Sequence, residues 1–301
     1  MAHVTPRTRN RLIAILILLV PTAIFVGSIL YNGLSVPPLP PMPNPNGYDD
    51  LMKAAKMLAP DVGDYSTSNP GEMQSIVSTD AAALELARAG LQMKCRVPLD
   101  YNPVSTNTDQ LMARKFLARG FAAEGDLAEA QGHPEQAVKS YLDMIRLANE
   151  SSRGGILIDQ LVGMAIEREG TDELRKLMPR LDAKTCRETG ATLESLDAQR
   201  QTWNDVMWQE HYWSHRTFPG IGNQIRRMAQ YNSLQKIYSE SERRFEEQQT
   251  RARELAIDFA TRAYELDTGH PPAAVSDLVT NYLETIPIDP VTGTNMTYLP
   301  N

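Results

Sequence analysis

Cysteine is scarce in this chain of 301 residues, which contains only Cys95 and Cys186. The two residues form neither a CxxC pair nor a zinc-ligand spacing. In an oxidising compartment they could form one disulfide, which the loop-entropy model values at about 4–5 kcal/mol. The alternative is two buried free thiols, and the sequence leaves both interpretations open.

Familiar catalytic signatures are also missing. The sequence contains no GxSxG, SxxK, P-loop or GxGxxG motif, and these patterns place nucleophiles or phosphate-binding loops in large enzyme classes. Their absence favours a role other than catalysis, with an exported enzyme kept as an alternative. No cofactor is predicted.

Basic residues are too few and too scattered for a nucleic-acid partner. The formal net charge is −7 and the pI is about 5.4, whereas nucleic-acid binders usually carry a basic patch. The short pairs Arg226-Arg227 and Arg243-Arg244 are interpreted as solvated helix faces.

Charge is absent from one long apolar run, Leu12 to Tyr31, which reads LIAILILLVPTAIFVGSILY. Twenty such residues suffice for a helix across about 30 Å of hydrocarbon. Arg7, Arg9 and Arg11 precede the run, and the next basic residue is Lys53. This asymmetry predicts a single-pass anchor in the inner membrane, with a cytoplasmic N-terminus and a periplasmic or extracellular bulk.

The alternative for this run is a cleaved signal peptide. Signal peptides have shorter apolar cores and end at a small-residue site. The best site here, Val26-Gly27-Ser28, fits that pattern poorly, so an uncleaved anchor is favoured. Under either interpretation, the rest of the chain is predicted to be exported.

A proline-rich segment follows the apolar run. Six prolines fall between Pro37 and Pro45, a density that favours a stiff polyproline II spacer. We expect a stalk that lifts the domain off the bilayer; the alternative is a docking motif for a proline-binding domain.

The sequence therefore divides into five parts. They are a cytoplasmic tail (1–11), a transmembrane anchor (12–31), a Pro-rich linker (32–47), a helical exported domain (48–267) and a C-terminal capping segment (268–301).

Helical periodicity dominates the exported domain. The pattern predicts a loop over Pro60–Thr79, a short helix over Asp80–Ala89, and a hairpin turning at Gly132. A second hairpin is predicted to turn at Gly170-Thr171. From Cys186 onward, apolar residues at steps of three and four predict a long antiparallel helix pair, with a polar middle that could be exposed or bind a partner.

One hairpin resembles part of a tetratricopeptide repeat. The segment EAQGHPEQAVKSYLDMIRLA matches the second half of such a repeat at Gly132, Ala137 and Tyr141. The resemblance covers about 40 residues, and no second copy occurs 34 residues away in either direction. It implies a protein-interaction surface around these three residues.

The last 30 residues resemble the closing segment of the major pseudopilins of type II secretion. Matching positions are Pro287, Asp289, Pro290, Gly293 and Tyr298. The pattern predicts a small β-hairpin around the Asp289–Gly293 turn. The resemblance implies a secretion or pilus-like component with calcium at Asp289, although the pseudopilin leader is absent and a capped turn is the simpler interpretation.

One spacing suits a metal ion. His211 and His215 are four residues apart, on one helix face, and Glu210 precedes them. These residues are weak zinc or copper ligands for an exported metal-dependent hydrolase, since Tyr212 replaces the glutamate of an H-E-x-x-H site. A cluster of packed aromatic residues with surface histidines is favoured.

The whole chain resembles a family of bacterial membrane-anchored helical proteins. The expected fold is mainly α: helical hairpins, a long antiparallel helix pair and a small C-terminal β-hairpin. The expected function is an interaction or scaffold module in the bacterial envelope, with an unknown envelope protein and the bilayer as partners.

Overall fold

The computed structural model describes residues 37–58, 70–105 and 107–297, together with Leu19, Val20 and Gly27. Over these residues the fold is mainly α-helical, as predicted, with nine α-helices and no sheet. In chain order the helices are α1 (Gly47–Met57), α2 (Pro70–Leu91), α3 (Thr108–Ala130), α4 (Pro134–Ser152), α5 (Leu157–Leu177), α6 (Ala183–Ala198), α7 (Trp203–Thr217), α8 (Ile221–Ala229) and α9 (Tyr231–Thr268).

The predicted membrane anchor, residues 12–31, lies outside the described residues except at Leu19, Val20 and Gly27. Within the described part of the chain, no helix has both the length and the apolar content needed to cross a bilayer. The anchor therefore remains a prediction from the sequence.

Helix α2 begins ten residues earlier than the sequence pattern indicates. The prediction of a loop over Pro60–Thr79 is wrong from Pro70 onward, where α2 starts. Pro suits the first turn of a helix, and Glu72 in that turn complements the helix dipole. Ile76 and Val77 pack against the main core, so tertiary packing outweighs the loop-like Gly, Ser and Thr content of this stretch.

The hairpin of α3 and α4 forms as predicted, around a turn in which Gly132 has φ +77°. Its two helices approach closely because α3 has a glycine opposite the Tyr141 ring. A Cβ at Gly125 would lie 2.5 Å from Tyr141 Cε1. The tyrosine is fully buried, and its hydroxyl lies 2.8 Å from carboxylate oxygens of Asp126 and Glu129.

The predicted turn at Gly170-Thr171 is wrong, because α5 continues through it to Leu177. Gly170 has a packing role instead. A Cβ there would lie 3.1 Å from both the Tyr141 carbonyl oxygen and Ile145 Cγ1 of α4. The glycine therefore marks a close helix–helix contact, which looks the same in sequence as a chain reversal.

Helices α6 and α9 form the predicted antiparallel pair. Arg187, near the start of α6, pairs with Asp267 at the end of α9, whereas Asp197 at the end of α6 pairs with Arg253. The first helix of the pair is shorter than predicted, because α6 ends at Ala198. A separate helix, α7, begins after the N-cap residue Thr202.

The predicted C-terminal β-hairpin is not formed in the described residues. One antiparallel bridge joins Ile288 to Asn295 around the Asp289 turn, and Tyr298 lies outside the described part of the chain. The segment packs against the side of α9 through a small apolar cluster. Its buried members are Ile257, Ala260, Val275, Leu278 and Leu283.

Two buried ion pairs attach α5 to its neighbours. Arg114 of α3 pairs with Asp159 in the first turn of α5, and Arg200 after α6 donates to Glu167 over 2.8 Å. Removing one partner of such a pair costs about 3–5 kcal/mol, since the other charge stays buried. These pairs fix the lateral positions of α3, α5 and α6.

Substitution of Gly125 by alanine tests the contact with Tyr141. We expect Gly125→Ala to lower the free energy of unfolding by about 1–3 kcal/mol, although alanine alone would favour a helix by about 1 kcal/mol. Gly222→Ala in α8 is the matched control, because a Cβ there meets nothing within 4 Å. Chemical denaturation measures both; equal effects from the two variants would contradict the close contact.

Candidate functional site

A groove of about 750 Å³ lies where the end of α2, the end of α4, α6 and α7 meet. The Pro-rich segment forms one of its walls. Its lining includes Pro40, Pro41, Pro43, Met93, Lys94, Cys95, Arg96, Arg146, Glu150, Arg153, Thr192, Ser195, Leu196, Gln199, Gln201, Asp205, Trp208 and Gln209. A concave site with both apolar and convergent polar groups is a common form of binding site.

Asn46 holds in place the loop after α2, which contributes Arg96 to the groove. Its side chain accepts from the Arg96 N–H over 2.9 Å and donates to the Arg96 carbonyl over 2.8 Å. The same side chain caps α1 at Tyr48. Gly47 allows the close approach, because a Cβ there would lie 2.2 Å from the Gly90 carbonyl oxygen. The loop after α2 is therefore held rigidly against the start of α1.

Residues 37–45, here called the proline segment, lie against this loop and α7. Trp208 Nε1 donates to the Pro37 carbonyl over 3.1 Å, and the Arg96 guanidinium donates to the Pro40 carbonyl over 2.5 Å. Carbonyl groups of a segment without internal hydrogen bonds are free to accept from such donors. These two contacts hold Pro37 and Pro40 against the domain, so the segment is not a free stalk at these two positions.

Two glutamines that line the groove each have a buried amide atom without a hydrogen-bond partner. Gln201 Oε1 accepts from the Gly154 N–H over 3.1 Å and from Gln209 Nε2 over 3.4 Å. These contacts orient both amides. Gln201 Nε2 and Gln209 Oε1 then have no hydrogen-bond partner among the described residues, although Gln209 is only 6% exposed. One donor and one acceptor side by side match the two polar groups of a peptide backbone.

Positive charge exceeds negative charge along the groove. Four basic side chains line it against two acidic ones: Lys94, Arg96, Arg146 and Arg153 against Glu150 and Asp205. Arg96 is nine-tenths buried, and this burial lowers the pKa of its guanidinium from the usual value. Arg153 pairs with Glu150 and Arg146 with Asp143, so Lys94 and Arg96 carry the excess positive charge, which favours a ligand that brings negative charge.

The predicted metal residues lie elsewhere, in a second cavity of about 700 Å³ between α7, α8 and α9. His211 packs edge-on against Tyr238, with ring centroids 6.1 Å apart. His215 Nδ1 lies 3.5 Å from the Arg227 guanidinium. Glu210 accepts from the Leu157 N–H over 3.0 Å, so one carboxylate oxygen caps α5.

This arrangement suits packing better than metal binding. In the described part of the chain, no three His, Cys, Asp or Glu side chains lie close enough to share a metal ion. Arg227 places a fixed positive charge where a cation would have to approach. Aromatic pairs such as Trp203–Phe245 and Trp213–Phe218 surround the same helix.

The interaction surface predicted at Gly132, Ala137 and Tyr141 is wrong for two of its three residues. Ala137 and Tyr141 are fully buried between α3 and α4, where the small residue and the aromatic ring make the helix–helix contact. Only Gly132 is exposed, in the turn. No partner can reach the two buried side chains without unfolding the hairpin.

Cys95 and Cys186 are free buried thiols, so the disulfide alternative is not the one that the structure contains. Cys95 Sγ lies 3.5 Å from the Gly90 carbonyl oxygen, to which it donates. Burial raises the pKa of Cys95 to about 12 and that of Cys186 to about 11. Both thiols therefore stay protonated and unreactive in the folded chain.

Most groove residues escaped the sequence analysis. Arg96, Gln201 and Gln209 belong to three segments far apart in the chain, and no motif connects them. One usable signal was present: a proline-rich segment in the same chain as a tryptophan-rich helix, since indole N–H groups often bind prolyl carbonyls.

Comparison of the chain with protein families, with curated proteins and with solved structures gave no match.

The two histidines give a pH-dependent prediction. Burial, and next the Arg227 charge, lower the pKa of His211 and His215 below the ordinary 6.5. Near and below pH 6.5 the unfolded chain therefore binds more protons at these histidines than the folded chain does. The free energy of unfolding falls as the pH drops below 6.5, and well above pH 6.5 the two histidines do not change it.

An NMR titration of the imidazoles measures this directly. We expect both pKa values below 6.5, and both should rise in Arg227→Gln. The neighbouring, exposed Arg226 is not among the causes of either shift, so Arg226→Gln is the control and should leave them unchanged. Values at or above 6.5 in the native chain would contradict the described packing.

Proposed function

We propose that this chain is a membrane-tethered interaction module whose groove holds an extended, acidic segment of a protein partner. The tether is the apolar run of residues 12–31, which the charge asymmetry around it orients with the helical domain on the non-cytoplasmic face of a bacterial inner membrane. The partner would be another protein of the envelope.

The observation that carries the proposal is the unpaired amide couple of Gln201 and Gln209. A buried polar atom without a partner costs about 1–3 kcal/mol, and the two glutamines that carry these atoms line an open groove. Rotation of the two side chains would bring the atoms to its surface. A peptide group placed against them would accept from Gln201 Nε2 and donate to Gln209 Oε1. Main-chain recognition of this kind is typical of grooves that bind extended segments.

The proline segment supports the same conclusion. Arg96 and Trp208 already recognise main-chain carbonyls of an extended segment at the edge of the groove. A partner lying alongside would meet the apolar faces of Pro40 and Pro41 on one side. On the other it would meet Arg146, which pairs with Asp143 over 3.3 Å and keeps 29% of its side chain exposed.

The two alternative functions have weaker support. A metal-dependent hydrolase would need a third ligand near His211 and His215, and Glu210 is bound to Leu157 instead. A secretion component would rest on the Asp289 turn, whose carboxylate oxygens accept from the Val291 N–H and the Thr292 hydroxyl. Those contacts make it a capped turn.

Site-specific photo-cross-linking of the full-length chain in membranes tests the groove. A photoreactive residue at Ser195, on the exposed rim, should cross-link to an extended acidic segment of a partner, which mass spectrometry then maps. The matched control carries the photoreactive residue at position 184, because Lys184 is exposed at the other end of helix α6.

Gln209→Leu should reduce the Ser195 cross-link roughly tenfold, as expected for about 1.4 kcal/mol of lost hydrogen bonding. This variant keeps the side-chain size and removes the amide. Cross-links of equal yield at Ser195 and Lys184, or yields unchanged in Gln209→Leu, would contradict the proposal.

A further inference from the structure

One part of the surface has a charge pattern opposite to that of the whole chain. Between Glu210 and Glu240 the sequence contains no acidic residue. The same stretch carries four basic residues, Arg216, Arg226, Arg227 and Lys236. It includes α8 and the beginning of α9. The later pair Arg243-Arg244 differs, because each of its members forms an ion pair with a glutamate.

Large apolar side chains are exposed on this basic stretch. Ile225, Met228, Tyr231 and Ile237 are 48%, 49%, 59% and 53% exposed. Ile225 and Met228 are three residues apart and so share one face of α8. The first buried residue of α9 is Ser241, ten residues after the helix begins. Exposed apolar residues grouped beside basic ones are typical of helices that lie in a membrane interface.

The continuous described chain begins on the helix that leads to this surface. Pro37 is bonded to Trp208 of α7, and only five residues separate Pro37 from Tyr31 at the end of the apolar run. Extended chain of that length spans at most about 20 Å. Helix α7 then continues for nine residues from Trp208 to its end at Thr217, or about 14 Å, and α8 follows.

We infer that α8 and the first three turns of α9 lie on the non-cytoplasmic surface of the bilayer that residues 12–31 cross. Ile225, Met228 and Tyr231 would enter the headgroup region. Arg226 and Lys236 would contact anionic headgroups, which attract basic residues next to an anchor. This inference rests on the proposed tether and is independent of the peptide groove.

A single fluorescent label measures the contact in the full-length chain. An environment-sensitive dye is attached at Met228→Cys, and the protein is reconstituted in phosphatidylcholine vesicles with or without phosphatidylglycerol. A nitroxide on the lipid headgroups acts as the quencher. The native cysteines are buried thiols that resist labelling.

Leu266→Cys is the matched control. Leu266 is 42% exposed and lies on the same helix as Tyr231, 35 residues along, which corresponds to roughly 52 Å. Quenching at position 228 should exceed that at position 266 by about twofold or more in anionic vesicles. The excess should decrease in neutral vesicles and in the double variant Arg226→Gln, Lys236→Gln.

Three results would overturn the inference, and they separate it from the tether. Equal quenching at both positions, in protein that stays with the vesicles after alkaline washing, would leave the tether intact and refute the surface contact. A dye response that varies with the number of protein molecules per vesicle, and not with lipid charge, would show that the surface contacts a second copy of the chain. Release by alkaline washing would refute the tether and the inference together.

Discussion

The arrangement of the helices depends on how the N-terminus of α5 is held inside the protein. Three carboxylate oxygens converge on its free N–H groups and on one guanidinium. Asp159 accepts from the Ile156 N–H and from Arg114, and Glu210 of α7 accepts from the Leu157 N–H. The negative charges complement the positive end of the helix, and the Arg114 guanidinium also lies over the Tyr48 ring. Helices α1, α3, α5 and α7 are thereby joined at one point.

The groove follows from this junction. Because Glu210 fixes α7 against α5, Trp208 and Gln209 of the same helix are presented to the end of α4 and the loop after α2. Asn46 holds that loop from the other side. The proline segment then completes the wall through two main-chain contacts. The packed helices thus bring polar groups from distant segments of the chain to one groove.

Helical periodicity predicted what depends on local sequence and missed what depends on packing between distant segments. The α3–α4 hairpin was predictable because Gly132 and Pro134 provide a turn and a helix start. The turn predicted at Gly170 is wrong because the sequence alone does not distinguish a glycine at a close helix–helix contact from a glycine in a turn. The groove was unpredictable for the same reason, since Arg96, Gln201 and Gln209 meet only in the folded chain. The His211–His215 spacing was visible, yet only the structure showed Arg227 beside it.

A partner segment that enters the groove beside the proline segment would cover the main chain that lines it and slow its hydrogen exchange. Hydrogen exchange of the full-length protein in membranes, with and without the cross-linked partner segment, tests it most directly. We expect slower exchange over residues 92–96 and 199–209, which contribute to the groove, and unchanged exchange in the buried α3–α4 hairpin. Protection confined to the hairpin or to the C-terminal segment, with residues 92–96 and 199–209 unaffected, would contradict it.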